Sequence, residues 1–258
     1  MAKRKLRRGK DILPAKGKLG VLVPGIGAVT TTLFAGVFAM RKGLHKPIGS
    51  VTQAGKIRLG LRTDKKSVPI KELVPLADLD DIVFGGWDIF EDSAYDSAKH
   101  AKVLSTEDID SVADEMKAIK PMKAVFDRNF VKRLDGPHVK KAPTKLDLAQ
   151  MLMDDIVEFK KTHQLERVVV CWAGSTEAYK DISDVHQSLE AFEEGLKQND
   201  EAITPSQIYA YAALSMSIPY ANGAPHITTD CPALLELAEK NQVVVCGKDF
   251  KTGHTLLK

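Results

Sequence analysis

The chain has 258 residues, of which 44% are hydrophobic and 28% charged, a globular balance that excludes wholesale disorder and a coiled-coil rod and suffices to bury a sizeable core. Three cysteines, Cys171, Cys231 and Cys246, are too few for a disulfide framework; two sit in apolar, strand-like contexts and read as buried free thiols of a reducing, cytoplasmic protein. The net charge of +3 hides an asymmetry: residues 1–66 hold 16 Lys and Arg against only Asp11 and Asp64, whereas the remaining 192 residues hold 21 basic and 32 acidic ones, so the first quarter can attract phosphate.

Residues 1–17 read as a solvated basic tail. It has no aromatic residues on which bases could stack, so nucleic acid is not an expected partner. Pro14 cuts short the Ile12-Leu13 pair, leaving no signal-peptide core, and no apolar run approaches the length of a membrane span. Lys18–Val23 then reads as a buried strand, Pro24–Thr32 as a glycine turn entering a helix, and Leu33–Met40 as its apolar body, with Gly43 at the C-terminal stop. Asp81–Trp87 reads as a strand with a glycine turn at Gly85-Gly86. A helix is expected over Ser105–Lys120 with Ser105 as N-cap, a strand at Ala124–Phe126, and a helix over Thr144–His163, whose apolar residues recur with a period near 3.6. Arg167–Trp172 has the composition of a central strand. Thr204-Pro205 starts a helix, Asp230–Lys240 is another, and Gln242–Cys246 is a further buried strand. Alternating strands and helices predict an α/β fold, a doubly wound, mostly parallel sheet covered on both faces.

The turn at Gly25-x-Gly27 carries the sharpest chemistry. Glycines let the backbone approach a pyrophosphate, and the following helix offers free N–H groups and the positive end of its dipole. Thr30 stands at the usual third glycine, and no Asp or Glu lies between Gly27 and Asp64 to hold an adenine ribose. Asp88, after an apolar strand, can accept from a ribose hydroxyl pair or close an Asx turn. Trp172–Glu177 leaves a core strand by a small-residue loop on which a ligand could lie, and Gly247–Thr255 combines acid, lysine, glycine and hydroxyls at a strand mouth. The seven histidines show no metal-ligand spacing, so no protein-only metal site is expected.

These stretches occur together and in order: VPGIGAVTTTL, KPIGSVTQAGKIRLG, GGWDIF, VVVCWAGSTE, SIPYANGAP and PALLELAEKNQVVVCGKDFKTGHT. In that set the chain resembles the myo-inositol-1-phosphate synthase (inositol-3-phosphate synthase) family. The resemblance implies a Rossmann-like NAD-binding domain over residues 18–247 and the start of a second, α+β catalytic and tetramerisation domain at 248–258. It implies conversion of D-glucose 6-phosphate to inositol phosphate by oxidation, enolisation, intramolecular aldol closure and reduction, within inositol and phospholipid biosynthesis, with NAD as cofactor and a homotetramer as the full-length assembly.

Carried over by motif, Gly25, Ile26, Gly27 and Ala28 match the pyrophosphate turn, and Asp88 the ribose ligand. Gly174 and Thr176 match the loop near the cofactor. Asp249 and Lys251 match the polar stretch near nicotinamide and substrate, and Lys258 is a further candidate for a catalytic lysine. Departures from the family pattern are Ser175, Thr252 and His254 in place of asparagine, serine and glutamine. The chain reaches Lys258 where the family continues into its catalytic domain, so a truncated chain is expected. A different NAD-dependent dehydrogenase on the same fold, an inactive NAD-binding fragment, and a non-catalytic protein with a nucleic-acid-binding tail are the alternatives.

Overall fold

The computed structural model describes residues 16–74 and 76–250; residues 1–15 of the basic tail read at 1–17 and the candidate lysines Lys251 and Lys258 lie outside the described residues. β1 (Leu19–Pro24) faces two cores at once: Leu22 is buried in one apolar cluster and Val23 in the other. That is why the strand reads as a continuous apolar run instead of an alternation. α1 (Ala28–Arg41) follows and stops as predicted. Gly43 adopts φ +70, and its N–H and that of Leu44 return to the carbonyls of Met40 and Ala39. Beyond it, α2 (Val51–Ala54), β2 (Lys56–Arg58), β3 (Ser67–Pro69) and α3 (Ile70–Leu73) form a surface unit with β2 and β3 antiparallel; no residue of these four elements is buried.

β4 (Ile82–Asp88) runs parallel to β1, from Leu19 opposite Ile82 to Pro24 opposite Trp87. The glycine turn expected at Gly85-Gly86 is not formed, since both glycines lie inside the strand. A Cβ at Gly85 would stand 2.5 Å from the Phe159 ring, and one at Gly86 would overlap the Val23 carbonyl. The two glycines admit close packing of a neighbouring strand and helix. α4 (Ala94–Ala101) is capped by Ser93.

The single helix expected over Ser105–Lys120 is two, α5 (Thr106–Asp110) and α6 (Ala113–Ala118). Ser105 caps α5 through the Asp108 N–H at 3.1 Å, as predicted. The break follows from the Ser111 hydroxyl donating back to the Asp108 carbonyl at 2.7 Å while Val112 turns into the core. β5 is Met122–Lys123, just before the expected strand. Ala124 makes only an isolated bridge with Val139, because a loop takes its N–H and C=O through His138 and Lys140.

α7 (Lys145–Thr162) begins in a Thr144–Asp147 capping box and leads to β6 (Arg167–Trp172), both as predicted. Then come α8 (Leu189–Gln198), α9 (Pro205–Ser215) with Thr204 as N-cap, β7 (Tyr220–Asn222), α10 (Pro232–Lys240) and β8 (Val245–Cys246). Asp230 does not cap α10: Cys231 holds that position without a side-chain bond, and the Asp230 carboxylate pairs with Lys248 at 3.0 Å. β8 is two residues long and forms the sheet edge, so the buried strand expected over Gln242–Cys246 is exposed at Val244 and Cys246. Of the three thiols, only Cys231 is buried.

The sheet order is β5-β4-β1-β6-β7-β8, with every pairing parallel. α1, α4, α5 and α6 pack on one face through the cluster around Phe34 and Phe84, and α7 to α10 on the other through the cluster around Leu152 and Phe192. The chain winds outward from β1 to β5, then returns to lay β6 beside β1. The strand order therefore reverses at β1, and in sheets of this kind the crevice outside the strand ends at such a reversal is where ligands bind.

Candidate functional site

A cavity of about 620 Å³ opens at this reversal, lined by Pro24–Val29, Trp87–Phe90 and Trp172–Glu177, the residues that leave β1, β4 and β6. Its tightest wall is backbone against backbone. Gly25 has φ +91, and a Cβ there would lie 2.5 Å from the Gly174 Cα, so only glycine fits. The Gly25 N–H donates to the Trp87 carbonyl at 2.8 Å, and the Ala173 N–H to the Pro24 carbonyl at 3.1 Å. The three strand exits are thereby stitched together.

Gly27 is different. It is the N-cap of α1 in extended backbone, and a Cβ there would meet nothing within 4 Å. No side chain caps the helix and no acid lies in its first turn. Among the described residues, the N–H groups of Gly27, Ala28, Val29 and Thr30 have no acceptor. The bare amides thus begin at Gly27, since those of Gly25 and Ile26 are already partnered. Four undirected donors at a helix N-terminus form an anion site. Thr30, in place of the third glycine, is buried and donates its hydroxyl to the Gly25 carbonyl at 2.6 Å, bracing the turn from behind.

Asp88 ends β4 on the cavity wall. The Asx-turn reading of it holds: one carboxylate oxygen accepts the Phe90 N–H at 3.1 Å, and the other accepts the Ile26 N–H at 2.7 Å. Burial pushes its carboxyl above the ordinary carboxylate range, against the lowering effect of those backbone bonds. Gly174 and Thr176 line the opposite wall. Phe90, His100, Val131 and Leu134 also line the cavity and add apolar surface to it. Beneath the centre, the buried Tyr209 packs edge-on against Trp87 and Trp172, with ring centroids 5.2 and 5.6 Å apart, and its hydroxyl accepts the Val125 N–H.

Asp249 is not brought into this wall. It is exposed at φ +71, and its N–H donates to the Ala224 carbonyl at 3.0 Å. It is not among the residues that line the cavity; the neighbouring Gly223 N–H donates to the carbonyl of the lining residue Trp172 at 3.0 Å. Glu177, the last residue of the Trp172–Glu177 loop and given no role of its own in the sequence reading, is a buried carboxyl on the cavity wall. Among the described residues no group of His, Cys, Asp and Glu is placed to hold a metal, and no helix is long and apolar enough to cross a membrane.

A cavity of about 620 Å³ lined by bare helix N–H groups, an acid and apolar side chains fits a dinucleotide. Comparison with known proteins agrees. The NAD-binding family model described as myo-inositol-1-phosphate synthase matches residues 19–257. The inositol-3-phosphate synthase 1 of Bacteroides thetaiotaomicron is 51% identical over 251 residues, covering 96% of this chain and 58% of that protein. The inositol-3-phosphate synthase of Brassica napus is 34% identical, covering 93% of this chain and 50% of its own length. The crystal structure of the Caenorhabditis elegans inositol-3-phosphate synthase superposes with a TM-score of 0.87 at 30% identity, over 95% of this chain and 51% of that one. A related Thermotoga maritima protein, at 22% identity and a TM-score of 0.65, shares the fold. The chain thus spans about half the length of the relatives it matches. On these grounds it belongs to the myo-inositol-1-phosphate synthase family, of which it carries the NAD-binding Rossmann-like domain.

Proposed function

We propose that this chain holds NAD with its diphosphate on the N–H groups of Gly27 to Thr30 and serves the conversion of D-glucose 6-phosphate to 1D-myo-inositol 3-phosphate. The observation that carries the reading is the uncapped, acid-free N-terminus of α1 facing open space on the cavity wall. The residues named here would hold NAD, which would supply reversible hydride transfer with the sugar. The chain's own residues do the rest of the binding. Gly25 keeps the turn against Gly174, so that the helix dipole points at the phosphates. Asp88, already oriented by the Ile26 N–H, has acceptor capacity left for a ribose hydroxyl pair. Gly174 and Thr176 give a close backbone wall on the β6 side.

In this reading residues 18–247 are the cofactor domain, and 248–258 lead toward the substrate. Lys251 and Lys258 are the candidates for holding phosphate and stabilising enolate charge, with Asp249 nearby in sequence. A homotetramer working in cytoplasmic inositol and phospholipid biosynthesis is the corresponding whole assembly. The half-length match favours one further reading, a chain that binds NAD without turnover. Calorimetric titration with NAD, followed by assay of inositol phosphate from glucose 6-phosphate, separates the two. Binding with product supports the synthase, binding without product supports the cofactor domain alone, and no binding overturns both.

A further inference from the structure

A second helix N-terminus borders the cavity at Pro205, and a side chain of the chain itself occupies it. The carboxylate of Glu177, 4% exposed, accepts the Ser206 N–H at 2.7 Å and the Ser206 hydroxyl at 2.5 Å. Ser206 is the second residue of α9, so this acid lies at the positive end of the helix dipole. On the other side sits His226. Its Nδ1 accepts the Glu177 N–H at 3.4 Å, which places the proton of the neutral ring on Nε2. That Nε2 is buried without a hydrogen-bond partner and stands 3.9 Å from the Glu177 carboxylate. Burial lowers His226 to about 4, so the ring is a neutral donor. Burying an acid costs desolvation. Here two donors hold it, and the His226 Nε2 stands 3.9 Å away, at the end of the loop that forms the β6 wall.

We propose that Glu177 is a positioning residue for the cofactor: its ionised carboxylate, held by Ser206 and faced by His226, fixes the 173–177 loop in the conformation that receives NAD. The inference rests on the NAD-binding reading above and deepens it. When the carboxyl takes up a proton, the charge that strengthens both Ser206 bonds at the positive end of α9 is lost, and the Ser206 hydroxyl can turn to Thr228 or Thr204, 2.5 and 3.0 Å away. The hold on the loop then weakens.

Burial pushes the Glu177 carboxyl up to about 7, against the Ser206 and Thr204 bonds, and Asp127 adds to the rise. The other titratable groups facing it are His226 and Tyr220, with His186 and Lys180 across an outer crevice. NAD affinity is therefore expected to fall as pH drops through about 7. Stability runs the other way. The folded value of about 7 exceeds the ordinary 4.5, so the stability contributed by the neutral acid is fully present below 4.5 and is lost as pH rises through about 7.

The test is calorimetric NAD affinity from pH 6 to 8.5, with thermal midpoints, for the unaltered chain, Glu177→Gln and Ser206→Ala. His100→Gln serves as a control, because His100 also lines the cavity. One linked proton weakens affinity of the unaltered chain by about tenfold per pH unit below the midpoint. Glu177→Gln is expected to bind weakly at every pH yet melt higher than the unaltered chain at pH 8, a pairing that loss of a merely structural contact would not give. Ser206→Ala removes a donor to the ionised form and is expected to move the midpoint upward. Wild-type affinity with wild-type pH slope in Glu177→Gln, an unmoved midpoint in Ser206→Ala, or loss of the pH slope in His100→Gln overturns the inference alone. Absence of NAD binding by the unaltered chain overturns the cofactor reading and this inference with it.

Discussion

The N-termini of α1 and α9 border the same cavity and are built in opposite ways. At α9, Thr204 and Gln207 form a capping box, Pro205 fills the first helical position, and Glu177 takes the Ser206 N–H. Donors are satisfied there before any ligand arrives. At α1, the cap is a glycine, the first turn holds no acid, and the amides from Gly27 to Thr30 are free among the described residues. Unpaired helix donors are costly when buried, and they are tolerable here because the cavity lies in front of them. The contrast separates what a helix needs for stability from what it offers a ligand.

The largest expected effect comes from Gly25→Ala. Position 25 combines φ +91 with a Cβ 2.5 Å from the Gly174 Cα, and the obstructing atom is backbone that cannot rotate away. The substitution is expected to destabilise by about 3 kcal/mol, a fall of roughly 8 °C in the thermal midpoint. A midpoint within one or two degrees of the unaltered chain would show that the Gly25–Gly174 contact does not hold the turn.

Gly27→Asp puts an α9-type cap on α1. The extended backbone accepts any residue, and the new side chain meets nothing within 4 Å. The carboxylate would take the free amides and repel a diphosphate. NAD affinity is expected to fall by at least about 100-fold, roughly 2.7 kcal/mol, while the fold gains a few tenths of a kcal/mol from the cap and the helix dipole. Retained affinity would remove the α1 amides as the phosphate site. A loss of stability would show that the space at Gly27 is not open.

What could be read in the sequence follows the same division. Local chemistry was legible: Ser105 and Thr204 cap helices as expected, Gly43 stops α1, and the apolar runs at Leu19–Val23 and Arg167–Trp172 are the central strands. α8 went unread, although Ser188 and the apolar spacing of Leu189, Phe192 and Leu196 carry its signal. Features set by neighbours were not legible. Gly85-Gly86 looks like a turn until β1 and Phe159 are laid against it. The apolar run ending at Cys246 looks buried until it proves to be an edge. The site divides likewise. Gly25 and Gly27 share one motif but act differently, one fitting a backbone contact and the other facing open space. The partners of Glu177 come from positions 206 and 226, which no local spacing links to it.

The smallest expected effect tests the α9 side. In Thr204→Ala the hydroxyl that accepts the Gln207 N–H is lost, while the Gln207 side chain still accepts the N–H of residue 204 at 2.9 Å. Half the capping box survives, so the expected cost is about 1 kcal/mol, measurable by urea denaturation. Both Glu177–Ser206 bonds remain when the Thr204 hydroxyl, 3.0 Å from that of Ser206 and a minor support of the ionised Glu177, is removed, so NAD affinity at pH 8 is expected to change by less than about twofold, under 0.5 kcal/mol. A loss in affinity as large as that from Gly27→Asp would break the comparison. It would mean that the α9 terminus contacts the cofactor through its own backbone, and that Glu177 fills a donor site the ligand would otherwise share.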